Sequence, residues 1–317
     1  MNTNKQQIKS AVRLHDVTNA ELGQRLDNFL LKIFKNVPRT RIYRIIRKGE
    51  VRINKKRCKP DYKLKLGDQI RVPPIRNDQN PDQAAIISDS WLRQIEASIL
   101  YENKHLIIID KPSGLAVHSG SGVDYGVIDI MRKLRPESDM ELVHRLDRDT
   151  SGCLLLAKNR QALLALQRCV MDDSLNKIYL AVVKGIWPEN KVEIKHSLKK
   201  MTMTNGERRV FVDSGGQKAF TRILQAEPGK LFSLLTIQLL TGRTHQIRVH
   251  CQAEGHEIAG DNKYGDREFN RNMKKLGIKR LMLHASRLEL PKTDFNDEIV
   301  VNATPPQHFS IGIHSNG

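Results

Sequence analysis

Between Val143 and Gly152 the chain reads Val143-His144-Arg145-Leu146-Asp147-Arg148-Asp149-Thr150-Ser151-Gly152, and an apolar run from Cys153 to Ala157 follows at once. A charged loop that feeds a buried strand presents its side chains at the edge of a sheet, where sites commonly form. Asp147 stands there between Arg145 and Arg148. Nearby cations favour the ionised carboxylate, and an ionised carboxylate with a free lone pair is a nucleophile. A structural Asp–Arg network that closes the loop fits the same residues equally well, and spacing does not choose between the two. A third reading takes Asp147 and Asp149 as the D-x-D pair of a metal-dependent aspartyl phosphotransferase, which chelator would abolish. Such a motif normally ends an uninterrupted apolar strand, and here His144 and Arg145 break the run.

Other residues with chemistry of their own form no second site. His144, His245, His250 and His284 are too spread, with no acidic partner at ligand spacing, so structural or ligand-facing histidines are expected and no metal. Cys58, Cys153, Cys169 and Cys251 include no C-x-x-C pair, which speaks against a zinc ribbon and against a disulfide framework. The run His118-Ser119-Gly120-Ser121-Gly122 is glycine-rich but lacks the G-K-[ST] of a nucleotide-binding loop. It lets backbone approach a ligand closely, or is an ordinary flexible loop. Lys111 and Arg243 either touch phosphates or support the sheet edge, and the sequence does not separate these. Met1 to Gln7 has no apolar h-region, and Leu106 to Ile109 and Leu154 to Ala157 are far too short to span a bilayer. A reduced, cytoplasmic protein without a membrane partner is the expectation.

Charge points to the partner. The 317 residues carry 53 Lys and Arg against 35 Asp and Glu, a net +18. Net charge speaks to partners rather than to fold. Twelve of the basic residues fall between Arg39 and Lys65, opposed only by Glu50 and Asp61. Self-repulsion makes such a cluster costly unless something neutralises it, and the phosphates of a nucleic acid do. Arg41, Arg44, Arg47, Lys48, Lys55, Lys56 and Arg57 are the candidate RNA-binding side chains.

These residues need elements to position them. Leu26, Phe29, Leu30, Ile33 and Phe34 recur at helical spacing within 24–35. Pro38 and Gly49 bracket a second helix whose apolar face is Ile42, Ile45 and Ile46. Extended pieces at 50–54 and 68–72, with a turn at Leu66-Gly67-Asp68, complete a small module. Residues 1–22 read as a polar leader with one extended stretch, Val12 to Leu14. Pro73-Pro74 and the polar residues up to Pro81 open a linker over 74–97, part of it helical after Ala84. From 98 to 317 strands are predicted at 105–110, 153–157, 178–184, 209–212, 218–224, 232–240 and 281–290, and helices at 126–134, 161–171 and 245–254. Consecutive strands without a helix between them, from Arg209 to Leu240, favour an α+β fold with a mixed, largely antiparallel sheet.

Two resemblances sharpen this. Arg25-Leu26-Asp27-Asn28-Phe29-Leu30, Arg47-Lys48-Gly49-Glu50-Val51-Arg52-Ile53-Asn54 and Leu66-Gly67-Asp68 resemble the S4 RNA-binding domain over 23–73. His144 to Gly152 resembles the signature of the pseudouridine synthases of the RluA type. Three further blocks agree in order: Asp110-Lys111-Pro112-Ser113-Gly114, then Lys177-Ile178-Tyr179-Leu180-Ala181-Val182, then Thr241 to His250 with Gly260-Asp261-Asn262-Lys263-Tyr264-Gly265. The resemblance implies a catalytic domain over 98–317 that isomerises uridine in RNA without metal or cofactor. It implies Asp147 as nucleophile, Tyr179 stacking on the base and a candidate for proton transfer, and Arg248 pairing with the nucleophile. Arg145 resembles the side chain that fills the gap left by a flipped uridine. The arrangement is most similar to members acting on the large ribosomal subunit, which implies 23S rRNA as partner. A monomer is the default. A non-catalytic RNA-binding assembly factor is the rival from another class, and Asp147, Tyr179 and Arg248 together tell against it.

Overall fold

The computed structural model describes residues 12–34, 37, 39–74, 87–119, 124–204 and 206–309. The start of the leader, Pro38, residues 75–86 of the linker and the tip of the glycine-rich loop lie outside the described residues. The chain divides into two compact units, Met1–Ile86 and Ile87–Gly317.

In the first unit, β1 (Arg13–Asp16), α1 (Leu26–Ile33), α2 (Arg39–Lys48), β2 (Arg52–Ile53) and β3 (Gln69–Val72) follow in order. Leu26, Phe29 and Leu30 of α1 and Ile42, Ile45 and Ile46 of α2 share one buried core with Val51, Ile53, Ile70 and Val72. Helix α2 ends where Gly49 takes a φ of 73°, a left-handed conformation that costs glycine no Cβ clash. Asn54 and Lys55 are both left-handed, with φ of 50° and 67°, at the tip of a tight turn that pairs Ile53 with Lys56. The acids of this region are structural. Asp27, buried, accepts from Arg25 Nε at 3.1 Å, from Arg25 Nη2 at 2.7 Å and from Tyr43 Oη at 2.8 Å. Asp68 accepts from Asn54 Nδ2, Tyr62 Oη and the Lys65 amide.

The expected hairpin is present as β2 and β3, and the structure adds a third strand to it. Strand β1, inside the supposed leader, pairs antiparallel with β3 from Arg13–Val72 to Asp16–Gln69, so the sheet has three strands in the order β1-β3-β2. An isolated hairpin is marginal in water, and a third strand covers the open edge of β3.

The second unit opens with α3 (Asp89–Ala97), inside the expected linker, capped by Ser88 and anchored by buried Ile95. Then come β4 (Ile99–Glu102), β5 (Leu106–Lys111), α4 (Val127–Leu134), β6 (Glu141–Leu142), β7 (Ser151–Ala157), α5 (Arg160–Met171), β8 (Asn176–Lys184) and β9 (Glu193–Ile194). The chain continues through β10 (Leu198–Thr202), β11 (Arg208–Val212), β12 (Thr221–Pro228), β13 (Phe232–Leu239), α6 (Gln246–Ala253), α7 (Arg267–Lys275), β14 (Leu283–Leu290) and β15 (Ile299–Asn302). One ten-stranded sheet runs β4-β5-β7-β14-β8-β13-β12-β9, with β6 added to β7 and β15 to β14. Of the described pairings in it, β7 with β14 is parallel and the rest are antiparallel. The mixed, largely antiparallel sheet is the one expected.

Strand β7 is buried along its whole length, which is why its sequence is a continuous apolar run rather than an alternating one. Its entry depends on Gly152, whose φ is 106° and whose missing Cβ would lie 2.2 Å from the Ala285 carbonyl oxygen. Any larger residue would push β7 off β14. Strands β10 and β11 form a separate hairpin, whose Leu198 and Val210 pack with Val249 of α6 and with Tyr264.

Candidate active site

Asp147 lies in the turn that leads into β7, with the Thr150 amide donating to its carbonyl. Two clamps hold that turn. Lys111, at the end of β5, is fully buried, and its Nζ donates to the carbonyls of Pro112 at 2.7 Å, Leu115 at 2.9 Å and Arg148 at 2.9 Å. Burial pushes this ammonium down to about 7, while the three carbonyls answer its three protons. Ser113 Oγ donates to the Asp149 carbonyl at 2.6 Å, and the Gly114 amide to that of Arg148 at 2.9 Å. The segment Asp110 to Gly114 is thus a brace for the Asp147 loop, and Lys111 supports the sheet edge rather than touching phosphates.

The carboxylate itself is held from another direction. Arg248 Nη1, on α6, donates to Asp147 Oδ2 at 2.8 Å across 101 residues of chain. The same guanidinium grips Asp261 with two bonds, Nε to Oδ2 at 2.7 Å and Nη2 to Oδ1 at 2.9 Å. Asp261 also accepts the amides of Lys263 and Tyr264, and the Arg248 guanidinium carbon lies 5.1 Å from the centre of the Tyr264 ring. Burial works against the charge of Arg248, but its bonds to Asp261 and the two acidic neighbours outweigh it, and its pKa rises. Burial likewise pulls Asp261 up, yet Arg248 and two backbone amides hold its carboxyl below the ordinary range. A bidentate, fully satisfied pair of this kind orients the third donor, Nη1, with little freedom.

Around Asp147 the side chains of Arg145, Thr150, Tyr179, Leu239, Arg243, His245, Arg248 and Leu283 line one cleft. Tyr179 comes from β8, in register with Ile237 of β13, and is 5% exposed. Burial, then the negative charge of Asp147, push its phenol well above the ordinary value, so it enters any reaction protonated. Arg145 is exposed at the rim. Asp147 keeps a side-chain exposure of 17%, enough to meet a ligand. Oδ1, the oxygen that Arg248 leaves open, stands 3.8 Å from His245 Nε2.

The structure brings Asp147, Arg145, Tyr179 and Arg248 together, and it revises who keeps Asp147 company. Arg148, its sequence neighbour, turns away to pair with Asp149 at 2.9 Å in a largely exposed contact. The guanidinium on Asp147 is that of Arg248. Asp147 and Asp149, the proposed D-x-D pair, are each committed to a different arginine. His144 Nε2 accepts the Leu155 amide, His250 joins Thr221 to the His196 carbonyl, and His284 joins Ser151 to the Ala303 carbonyl. Burial pushes all three down to about 4, so they are neutral structural links. Among the described residues no group of three His, Cys, Asp or Glu side chains could hold a metal ion. Asp261 was missed as a partner of Arg248, although the block Gly260 to Gly265 that contains it was visible. Arg44, Arg47, Lys48, Lys55, Lys56 and Arg57 are exposed in the first unit, and Arg41 is half-buried.

A small basic module, and a second unit whose mixed sheet carries an Arg-held carboxylate in a cleft, are a combination that the family matches place among RNA-modifying enzymes. Residues 105–253 match the RNA pseudouridylate synthase family and residues 24–70 match the S4 domain. The chain is 48% identical over 292 residues to the ribosomal large subunit pseudouridine synthase C of Haemophilus influenzae, covering 91% of each chain. It is 47% identical over 289 residues to the protein of that name from Pasteurella multocida, covering 90% of this chain and 89% of that one. Among solved structures, human RNA pseudouridylate synthase domain containing 4 superposes with a TM-score of 0.56 at 25% identity, over 69% of this chain and 93% of the other. The protein therefore belongs to the RNA pseudouridylate synthase family, as an RNA pseudouridine synthase with an S4 domain in front. That assignment replaces both the phosphotransferase and the non-catalytic assembly factor as readings of the chain.

Proposed function

We propose that the protein isomerises selected uridines of large-subunit (23S) ribosomal RNA to pseudouridine, with Asp147 as the nucleophile. One observation carries the reading: a carboxylate with one oxygen fixed by Arg248 and the other open to a cleft beside Tyr179. Asp147 attacks the ribose or the uracil ring, the N-glycosidic bond breaks, and the base turns and rejoins the sugar through C5, the bond to Asp147 breaking again to release its carboxylate. C5 then loses its proton and N1 gains one. The product is an isomer of the substrate, so the balance calls for no redox partner and no cofactor. Tyr179 stacks on the base and, being protonated, donates rather than accepts at the outset. Arg248 holds the nucleophile in place through its bond to Oδ2.

A base cannot turn over inside a helical stack, so the target nucleotide is flipped into the cleft. Arg145, exposed at the rim, fills the space it leaves. The exposed cations of the S4 domain, with Arg41, hold the surrounding RNA through its phosphates. Large-subunit RNA as the substrate rests on the names of the relatives, and a monomeric, cytoplasmic enzyme is the accompanying expectation. Asp147→Ala should form no detectable pseudouridine while binding RNA within about threefold of the native protein, since one carboxylate contributes little to phosphate affinity. Full activity in Asp147→Ala would overturn the mechanism. Mapping pseudouridines in ribosomal RNA with and without the gene identifies the sites.

A further inference from the structure

His245 occupies an unusual place. It is the residue before α6, with φ 55° and ψ 21°, a left-handed conformation rare for a side chain of this size. Its side chain makes no capping hydrogen bond to the helix. Such departures accumulate where geometry serves a reaction, and the surroundings of this ring show what that geometry achieves.

The Val210 amide donates to Tyr264 Oη at 3.0 Å, and Tyr264 Oη lies 2.7 Å from His245 Nδ1. Tyr264 is 3% exposed, so its hydroxyl proton needs a partner inside the protein. With its oxygen already accepting from Val210, the hydroxyl satisfies itself by donating to Nδ1. Nδ1 is then an acceptor and the ring proton sits on Nε2. Burial, helped by the charges of Arg248 and Lys263 and opposed by those of Asp147 and Asp261, keeps the ring neutral. Nε2 faces the cleft with 3.8 Å to Asp147 Oδ1, too long for a hydrogen bond, and no other acceptor bonds it among the described residues. The site thus contains a neutral donor of fixed tautomer, without an acceptor, beside the oxygen that attacks.

We propose that His245 is a catalytic residue, its Nε2–H donating a hydrogen bond to a uracil carbonyl oxygen as the glycosidic bond breaks. The inference rests on the reading above and adds a second role to the cleft. Whichever carbon Asp147 attacks, the electron pair of the N1–C1′ bond stays with the base. With attack at the sugar the resulting anion is spread over N1 and both carbonyl oxygens. With attack at C6 the adduct puts charge on O4 and the cleavage puts it on N1 and O2, so a carbonyl oxygen carries charge either way. A preorganised donor aimed at that charge stabilises it more than the neutral ground state. No proton moves to or from His245; when C5 takes up the bond to C1′ the charge is gone and the contact weakens. Tyr264 acts through His245 and is a positioning residue.

Three variants test this on a large-subunit RNA fragment containing a target uridine. His245→Asn tolerates the left-handed backbone and keeps an oxygen for Tyr264, but has no donor where Nε2 stood. It should lower kcat about 100-fold with KM within about threefold, the cost of one such donor. His245→Gln, whose amide nitrogen reaches the Nε2 position, should retain kcat within about tenfold. With 2-thiouridine or 4-thiouridine at the target, sulfur being the weaker acceptor, one of the two should slow the native enzyme and not slow His245→Asn further. Wild-type kcat in His245→Asn, a loss confined to KM, or equal slowing of both enzymes by both thio substrates would overturn the proposal. Run beside them, Asp147→Ala separates the two ideas: its activity would sink the nucleophile reading, whereas an inactive Asp147→Ala with a fully active His245→Asn sinks only this one.

Discussion

Arg44, Arg47, Lys48, Lys55, Lys56 and Arg57 of the first unit face solvent, whereas Arg248, Asp261 and Lys111 of the second are buried, with named partners for their charges. The exposed set keeps its hydration and undergoes no desolvation, and what repels within it is relieved by any phosphate that approaches. Its attraction is long-ranged and screened by salt. The buried set has surrendered its hydration, and only accurate geometry offsets that loss. Under the proposed function, charge in the first unit supplies affinity for RNA, and charge in the second aims one oxygen at one carbon.

Removing the buried guanidinium should give the largest effect. Arg248→Ala leaves Asp261 and Asp147 without their cation, at a cost of about 3–5 kcal/mol to the catalytic unit. Denaturant unfolding followed by the fluorescence of Trp91 and Trp187, both in that unit, measures it, and pseudouridine formation should vanish in protein that is still folded. A midpoint unchanged by the substitution would mean that the buried network does not hold the unit together.

Acid should separate the units next. His144, His250 and His284 have pKa values near 4 in the folded catalytic unit and an ordinary value of 6.5 when unfolded. Between those limits the unfolded chain binds more protons. Stability is therefore intact above pH 6.5 and falls as pH drops toward 4, by about 1.4 kcal/mol per pH unit for each proton taken up. Tryptophan-detected unfolding at a series of pH values reads the slope. A flat profile across the window would mean that the three rings are not buried as neutral links.

Smaller, and opposite in kind, is the response of the basic module. Replacing Lys55, Lys56 and Arg57 by Ala should raise KM and flatten the dependence of log affinity on log salt by about 0.7 for each phosphate no longer neutralised, with kcat unchanged. An altered kcat at saturating RNA would show that the two kinds of charge are not separable. Least affected of all should be Arg148→Ala. Its pair with Asp149 leaves the two side chains 62% and 39% exposed, and such pairs contribute about 0–1 kcal/mol. If Arg148→Ala cost as much stability as Arg248→Ala, Arg148 rather than Arg248 would be the cation that matters to the loop.

Much of this arrangement was legible in the residues alone. Strands β5, β7, β8, β13 and β14 stood out because buried strands are apolar runs bounded by charge or glycine, and α4 and α5 because their apolar residues recur at helical spacing. Short or polar elements did not. Helix α7 buries only Phe269 and Met273 among charged neighbours, and β6 and β9 are two residues each, so neither periodicity nor length could reveal them. The extended stretch expected over Val12 to Leu14 falls on strand β1, but its pairing with β3 lies in backbone hydrogen bonds, which side chains do not announce.

Local chemistry, then, was determined by the chain itself: a carboxylate in a charged loop before a buried strand, a tyrosine on a later strand, an arginine block, and a cluster of cations in front. Those follow from residue types and short spacings. Which arginine reaches Asp147, which acid orients that arginine, and which nitrogen of His245 keeps its proton were decided only when β7, β8, α6 and the Gly260–Gly265 loop came together. Contacts across 101 residues depend on where the sheet puts the strand ends, and no local pattern contains that distance.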